Sequence, residues 1–153
     1  MTTTAQPVNG QDINVAAAAT RKVLEVLLAE QGTSFGPMAT LNTIASPLGA
    51  ALDREALVAH LSGALGVDAT SVRGILHGLQ ARGLVELTGA AGPDARFQLT
   101  AAGIAEQRRV SQVIAGVTTE LYSGLDPADL ATTRQVLVVL TERANTRLRT
   151  TLG

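Results

Sequence analysis

The chain has 153 residues, of which 46% are hydrophobic, 16% charged and 2% aromatic, and its formal net charge is −1. This length predicts one domain, or one compact unit with an appended helical module, and excludes a catalytic scaffold of about 300 residues. With one Tyr, two Phe and no Trp, we do not expect binding that depends on stacking successive bases on aromatic rings. The bulk charge indicates no large cationic surface, so nucleic-acid binding would require local charge.

The sequence contains no cysteine, which excludes disulfides, thiolate metal sites, cysteine nucleophiles and thiol-based redox sensing. The two histidines, His60 and His77, are not accompanied by other ligands at metal-binding spacing, so no metal site is predicted. We expect no cofactor, because no glycine-rich cofactor loop is present. No segment approaches 18 uninterrupted apolar residues, and the start lacks a signal-peptide pattern, so we expect a cytoplasmic protein without a membrane span.

Residues 1–12 carry Pro7 and Gly10 without hydrophobic periodicity, which predicts a flexible tail with little order before Asp12. Residues 13–52 are predicted to form N-terminal helices that support or dimerise the protein. The first helix follows Asn14 and stops at Gly32, and the second begins at Pro37 and ends at Ala45, before Ser-Pro.

Residues 53–100 have the pattern of a helix-turn-helix followed by a β-hairpin. Asp53 and Asp68 each stand where an N-cap is expected, and each precedes leucine-rich helical spacing. The second of these helices spans 69–82. Residues 85–99 then change to two short apolar runs around a Gly/Pro turn, which predicts a hairpin. The hairpin is too small to stand alone and must pack on the helices.

Residues 101–150 return to helical periodicity and are predicted to form two C-terminal helices that dimerise the chain. Asp126-Pro127-Ala128-Asp129 is a strong helix start, with a cap, a proline and an acidic first turn. Residues 136–140 are apolar around more of the helix circumference than a one-sided surface helix needs, which favours an interface with a second subunit over an intramolecular core.

The exposed face predicted for helix 69–82 carries Thr70, Ser71, Arg73 and His77. Hydroxyls and an arginine at the start of such a helix suit phosphate and base-edge contacts, and the helix N-terminus offers N–H groups to phosphate. Arg96 lies beside the hairpin tip, where it could reach an adjacent minor groove or the backbone. His77 is a weaker candidate, because a lone histidine on a polar helix face is more often incidental.

Three stretches resemble the MarR family of winged helix-turn-helix transcription regulators: LVAHLSGALGVDATSVRGILHGLQARGLVEL (57–87), GPDARFQLT (92–100) and TAAGIAEQRR (100–109). The resemblance in element order covers about residues 13–150, and the specific motifs lie within 55–108. It implies a mainly α, winged helix-turn-helix fold in a homodimer that binds palindromic double-stranded promoter DNA. It also implies release of the DNA by a small aromatic or lipophilic effector, as in many family members.

Carried over by position, the resemblance assigns Thr70, Ser71, Arg73 and Gly74 to the major-groove face of the recognition helix, and Asp94 and Arg96 to the tip of the wing. A second hypothesis remains open. Residues 53–100 hold four Arg against five Asp or Glu, which also fits a winged-helix dimerisation or protein-interaction module that binds DNA weakly or not at all. No nucleophile–base pair or carboxylate dyad is present, so catalysis by this chain alone is not expected.

Overall fold

The structure is a computed structural model that describes residues 7–89, 92 and 94–152. The chain divides after Ala115 into two compact units. The first unit contains, in order, α1 (Gly10–Glu30), α2 (Phe35–Ala45), α3 (Pro47–Ala51), α4 (Arg54–Leu65), α5 (Ala69–Ala81), β1 (Val85–Thr88), β2 (Arg96–Leu99) and most of α6 (Ala101–Leu121). The second unit contains the end of α6 and α7 (Pro127–Leu152).

Helix α1 begins earlier than the sequence analysis predicted. The side chain of Asn9 accepts hydrogen bonds from the N–H groups of Gln11 and Asp12, and the Asp12 carboxylate accepts one from the N–H of Asn9. This reciprocal capping box satisfies donors that a helix start otherwise leaves unpaired. Order therefore begins before Asp12, and the predicted tail of residues 1–12 is wrong at its C-terminal end; residues 1–6 of that tail lie outside the described residues.

A short helix that the sequence analysis did not predict follows α2. The Ser46 hydroxyl accepts from the N–H of Gly49 at 3.2 Å and caps α3, which starts with Pro47. Gly49 lies so close to α2 that a Cβ there would stand 2.1 Å from the carbonyl oxygen of Thr43. The sequence Ser-Pro therefore ends one helix and begins another.

The helix-turn-helix has the caps that were predicted for it. The N–H of Ala56 donates to Asp53 at the start of α4, and the N–H of Ser71 donates to Asp68 at the start of α5, both at 2.8 Å. Between the helices, Gly66 has a φ of +66°, a left-handed conformation that glycine adopts without steric cost. Buried leucines of both helices, with residues from α1, α2, the wing and α6, form one core: Leu28, Met38, Leu41, Ile44, Leu57, Val58, Leu61, Val72, Leu76, Leu79, Leu84, Val85, Phe97 and Val110.

Strands β1 and β2 form an antiparallel hairpin, with Val85 opposite Leu99 and Thr88 opposite Arg96. This pairing confirms the predicted wing of residues 85–99; positions 90, 91 and 93 in its turn are outside the described residues. Two backbone hydrogen bonds hold the wing, one at the turn end of β2 and one at its base. The Arg54 N–H donates to the Ala95 carbonyl at 2.9 Å, and the Thr100 N–H donates to the Leu84 carbonyl at 3.1 Å.

Helix α6 starts within the first unit because its N-terminal part belongs to the core. Val110 is completely buried, and Ile114 packs against the same cluster. Gly103 lies against the wing, where a Cβ would stand 1.9 Å from the Leu84 carbonyl oxygen. The predicted domain boundary between residues 100 and 101 therefore does not coincide with the boundary between the compact units.

Candidate nucleic-acid interface

One face of α5 is exposed to solvent and the opposite face is buried. Val72, Leu76 and Leu79 are at most 3% exposed and anchor the helix to the core. The predicted contact residues Thr70, Ser71, Arg73, Gly74 and His77 are all exposed on the opposite side. The helical periodicity of these positions therefore distinguishes the buried side of α5 from its exposed polar side. A recognition helix presents a polar side of this kind to DNA.

The start of α5 is less open to an anion than the sequence suggested. Asp68 accepts the hydrogen bond of the Ser71 N–H, and this bond lowers the pKa of the Asp68 carboxyl below its usual value. A negative charge thus stands at the helix start and occupies one of the N–H groups that would otherwise face a phosphate. The Ser71 hydroxyl also hydrogen-bonds to Asp68, so both hydrogen-bond donors of Ser71 already have a partner within the chain.

Arg73 is held by a neighbouring acid. Its Nη2 donates to Oε2 of Glu55 on α4 at 2.8 Å, although the two residues are 18 positions apart in the chain. The other carboxylate oxygen of Glu55 lies 3.9 Å from Nε of Arg54. The Arg73 side chain remains 48% exposed, so most of its donors stay accessible from solvent.

Arg96 does not extend freely from the wing. It is the first residue of β2, and its Nη1 donates to the Ala50 carbonyl at 3.2 Å. Ala50 lies in the last turn of α3, where carbonyl groups lack partners within the helix. Arg96 therefore links the wing to α3, while Asp94 is exposed in the turn before it.

Both histidines are exposed. His77 is exposed one turn after Arg73, on the same side of α5, as predicted. His60 is exposed on α4 and is not part of the hydrophobic core. Among residues 7–89, 92 and 94–152, no group of three or more carboxylates and histidines could hold a metal ion.

Sequence reasoning missed a polar cluster that ties the C-terminal end of α5 to α6 and α1. Glu106 lies 3.0 Å from Nη2 of Arg109 and 3.9 Å from Nη2 of Arg82, the residue that caps α5. Arg109 also donates to the side chain and the carbonyl of Gln31 at the end of α1. The spacing of Glu106 and Arg109 is visible in the sequence, but the partners on α1 and α5 are remote along the chain.

The second unit exposes a run of apolar residues on α7. Residues 136–140 of α7 are each 41–43% exposed. An open groove of about 580 Å³ runs beside them and is lined by Tyr122, Leu130, Thr133, Arg134, Leu137, Val138, Thr141 and Glu142. None of the described helices combines the length and hydropathy needed to cross a membrane.

The fold of this chain is similar to that of several solved structures. No protein-family model matches the sequence, and no curated protein matches it closely enough to count as a relative. The transcriptional regulator MosR of M. tuberculosis is 23% identical, with a TM-score of 0.63 over 89% of this chain and 94% of that chain. MarR of E. coli in its oxidized form is 20% identical, with a TM-score of 0.65 over 90% of this chain and 96% of that chain.

A third structure, the MepR–DNA complex of S. aureus, is 14% identical and has a TM-score of 0.70 over 89% of this chain and 96% of that chain. The chain has the MarR fold. The resemblance inferred from the helix-turn-helix, wing and α6 motifs is therefore confirmed for the fold. Within this fold, α4 and α5 form the helix-turn-helix and the β1–β2 hairpin is the wing.

Proposed function

We propose that this protein is a homodimeric transcription regulator that binds palindromic promoter DNA in the cytoplasm and has no catalytic activity of its own. The observation that carries the proposal is the solvent-exposed polar face of α5, set in a MarR fold. Thr70, Ser71 and Arg73 would contact the major groove together with the backbone at Gly74. His77 would contact a flanking phosphate, and the wing tip with Asp94 and Arg96 would reach an adjacent minor groove or the backbone.

The apolar surface of the second unit supports the homodimer. Five consecutive apolar residues, 136–140, are each about two-fifths exposed in the single chain. A contiguous surface of this kind is typical of a protein interface. A twofold dimer would present two copies of α5, and the proposed operator would have half-sites about 34–36 Å apart.

The proposed regulator would release its DNA when a small aromatic or lipophilic effector binds. A small lipophilic molecule would act by favouring a dimer in which the two recognition helices no longer match the half-site spacing. The groove beside Tyr122 and Leu137 is apolar enough to accommodate such a molecule. Because aromatic residues are few, the effector would contact mainly aliphatic side chains.

The decisive experiment is a titration of the purified protein with DNA from its own upstream region and with a scrambled duplex, at two salt concentrations. We expect specific binding that strengthens at low salt as counterions are released from the phosphates. Arg73→Ala should weaken specific binding about 5- to 150-fold, the equivalent of about 1–3 kcal/mol for a lost base contact.

Arg149→Ala is the matched control, because it removes the same charge from α7, in the second unit, where Arg149 bonds only to its own helix in the described contacts. It should leave the discrimination between the two duplexes intact. Equal binding of promoter and scrambled DNA by the wild-type protein would refute the proposal. Sedimentation tests the dimer independently of DNA.

A second candidate function, a winged-helix dimerisation or interaction module, is favoured by the contacts of the two key arginines. Arg73 is paired with Glu55, and Arg96 is bonded to Ala50, so both cations already have partners within the chain. Negligible DNA binding together with a stable dimer would select this alternative.

A further inference from the structure

The acidic partner of Arg73 lies in the first turn of α4, where an exposed negative charge stabilises the helix start only modestly. Glu55 is 67% exposed and Arg73 48% exposed, and ion pairs between such solvated side chains contribute little to stability. Glu55 nevertheless places a full negative charge on α4, beside the arginine most suited to reading a base. Since DNA is itself a dense array of negative charges, a carboxylate at this position also changes how DNA approaches Arg73.

We propose that Glu55 is a specificity-determining residue that directs Arg73 toward base edges and away from phosphates; this inference rests on the proposed function. The ion pair uses one of the five N–H donors of the guanidinium. Enough donors remain for a bidentate contact to O6 and N7 of guanine. Arg73 can therefore hold Glu55 and read a base at the same time.

The Glu55 carboxylate repels a phosphate more strongly than it repels a guanine base. A phosphate oxygen brought to the Arg73 guanidinium would lie within a few ångströms of the Glu55 carboxylate, well inside the screening distance of about 8 Å at physiological salt. The two anions repel each other. The acceptors of guanine carry only partial charges, so the same carboxylate penalises a base contact much less.

Specificity is a difference between two affinities, and a repulsive element can create it as effectively as an attractive one. Non-cognate DNA offers Arg73 mainly phosphates, so it suffers most of the repulsion. Cognate DNA offers a base edge, and Glu55 holds the guanidinium by its Nη2 in advance. Glu55 thus weakens non-specific binding more than specific binding.

The test begins with selection of binding sites from a random duplex library by the wild-type protein. Affinities for the selected duplex and for a scrambled duplex are then measured for wild type and Glu55→Gln. Glu55→Gln should tighten binding to the scrambled duplex roughly five- to tenfold, the effect of removing one nearby charge. Binding to the selected duplex should change by much less, because the lost repulsion is offset by the lost orientation of Arg73.

Three further variants separate this role from a general charge effect. Glu25→Gln is the matched control, because Glu25 is likewise exposed and paired with an arginine, Arg21 at 3.3 Å, but lies on α1. It should leave the specificity ratio unchanged. Glu55→Asp keeps the charge and should retain discrimination. In an Arg73→Ala background, Glu55→Gln should leave the remaining specificity ratio unchanged, since its partner is absent.

The two hypotheses fail in different ways. If the wild type selects a site but Glu55→Gln keeps the specificity ratio, or Glu25→Gln lowers it equally, the role of Glu55 is refuted and the proposed function stands. If the wild type selects no sequence, the proposed function is refuted and the role of Glu55 with it.

Discussion

The substitution Gly103→Ala should damage the first unit at the junction of the wing and α6. A Cβ at this position would lie 1.9 Å from the Leu84 carbonyl oxygen and 2.9 Å from its carbonyl carbon. Because these are backbone atoms, rotation of a side chain cannot relieve the clash, and the start of α6 must move away from the wing. That movement strains the hydrogen bond from the Thr100 N–H to the same carbonyl, which measures 3.1 Å.

Overpacking of this kind costs about 1–3 kcal/mol when side chains can adapt. Because the Leu84 backbone cannot adapt in this way, we expect Gly103→Ala to cost about 3 kcal/mol or more. For a chain of this size, about 3 kcal/mol corresponds to a fall in Tm of roughly 6–12 °C. Gly78→Ala is the control, because Gly78 lies in α5 and no atom stands within 4 Å of the position that its Cβ would occupy. Alanine there should stabilise the helix by about 0.5–1 kcal/mol.

Thermal and urea unfolding followed by circular dichroism measure both variants against the wild type. The two glycines should give changes of opposite sign. A Gly103→Ala protein as stable as the wild type would refute the close approach of α6 to the wing.

Two further predictions concern single acids. At neutral pH, Asp68→Ala should be less stable than the wild type; because the hydrogen bond from Ser71 lowers the pKa of Asp68, this difference should shrink as the pH falls below the usual value of 3.8. Asp68→Asn keeps a capping oxygen and should therefore lose less stability at neutral pH than Asp68→Ala. If the stability difference between wild type and Asp68→Ala did not depend on pH, the charge of Asp68 would not contribute to it. Glu106→Ala should lower stability by only about 1 kcal/mol, because its arginine partners are half exposed and stay hydrated. The control is Glu120→Ala, which removes an exposed acid from the same helix. Equal unfolding midpoints for the two variants would show that the Glu106 cluster is not stabilising.

The features predictable from the sequence are those set by neighbours in the chain. Asp53, Asp68 and Asp126 each bond to an N–H two or three residues ahead, so their capping role follows from local sequence alone. The exposed face of α5 follows from its helical period. The extra helix α3 was missed because Ser46-Pro47 was interpreted only as a stop, although the same pair also starts a helix.

The partners of the site residues could not be predicted, because they depend on how distant segments pack. Arg96 meets Ala50 across 46 positions, and Arg109 meets Gln31 across 78. Nothing in the local pattern around either arginine indicates these contacts. The sequence therefore predicts which surface each candidate residue lies on. It does not predict the charged and carbonyl groups to which these residues bond.

Tyr122 makes the second unit observable by itself. It is the only tyrosine in a chain without tryptophan, and it lies 48% exposed just beyond the end of α6, in the groove beside α7. Intrinsic tyrosine fluorescence consequently reports on this unit, whereas the helical circular dichroism signal reports on both. Coincident unfolding curves from the two signals would mean that the units unfold together, and separate curves would mean that each melts independently.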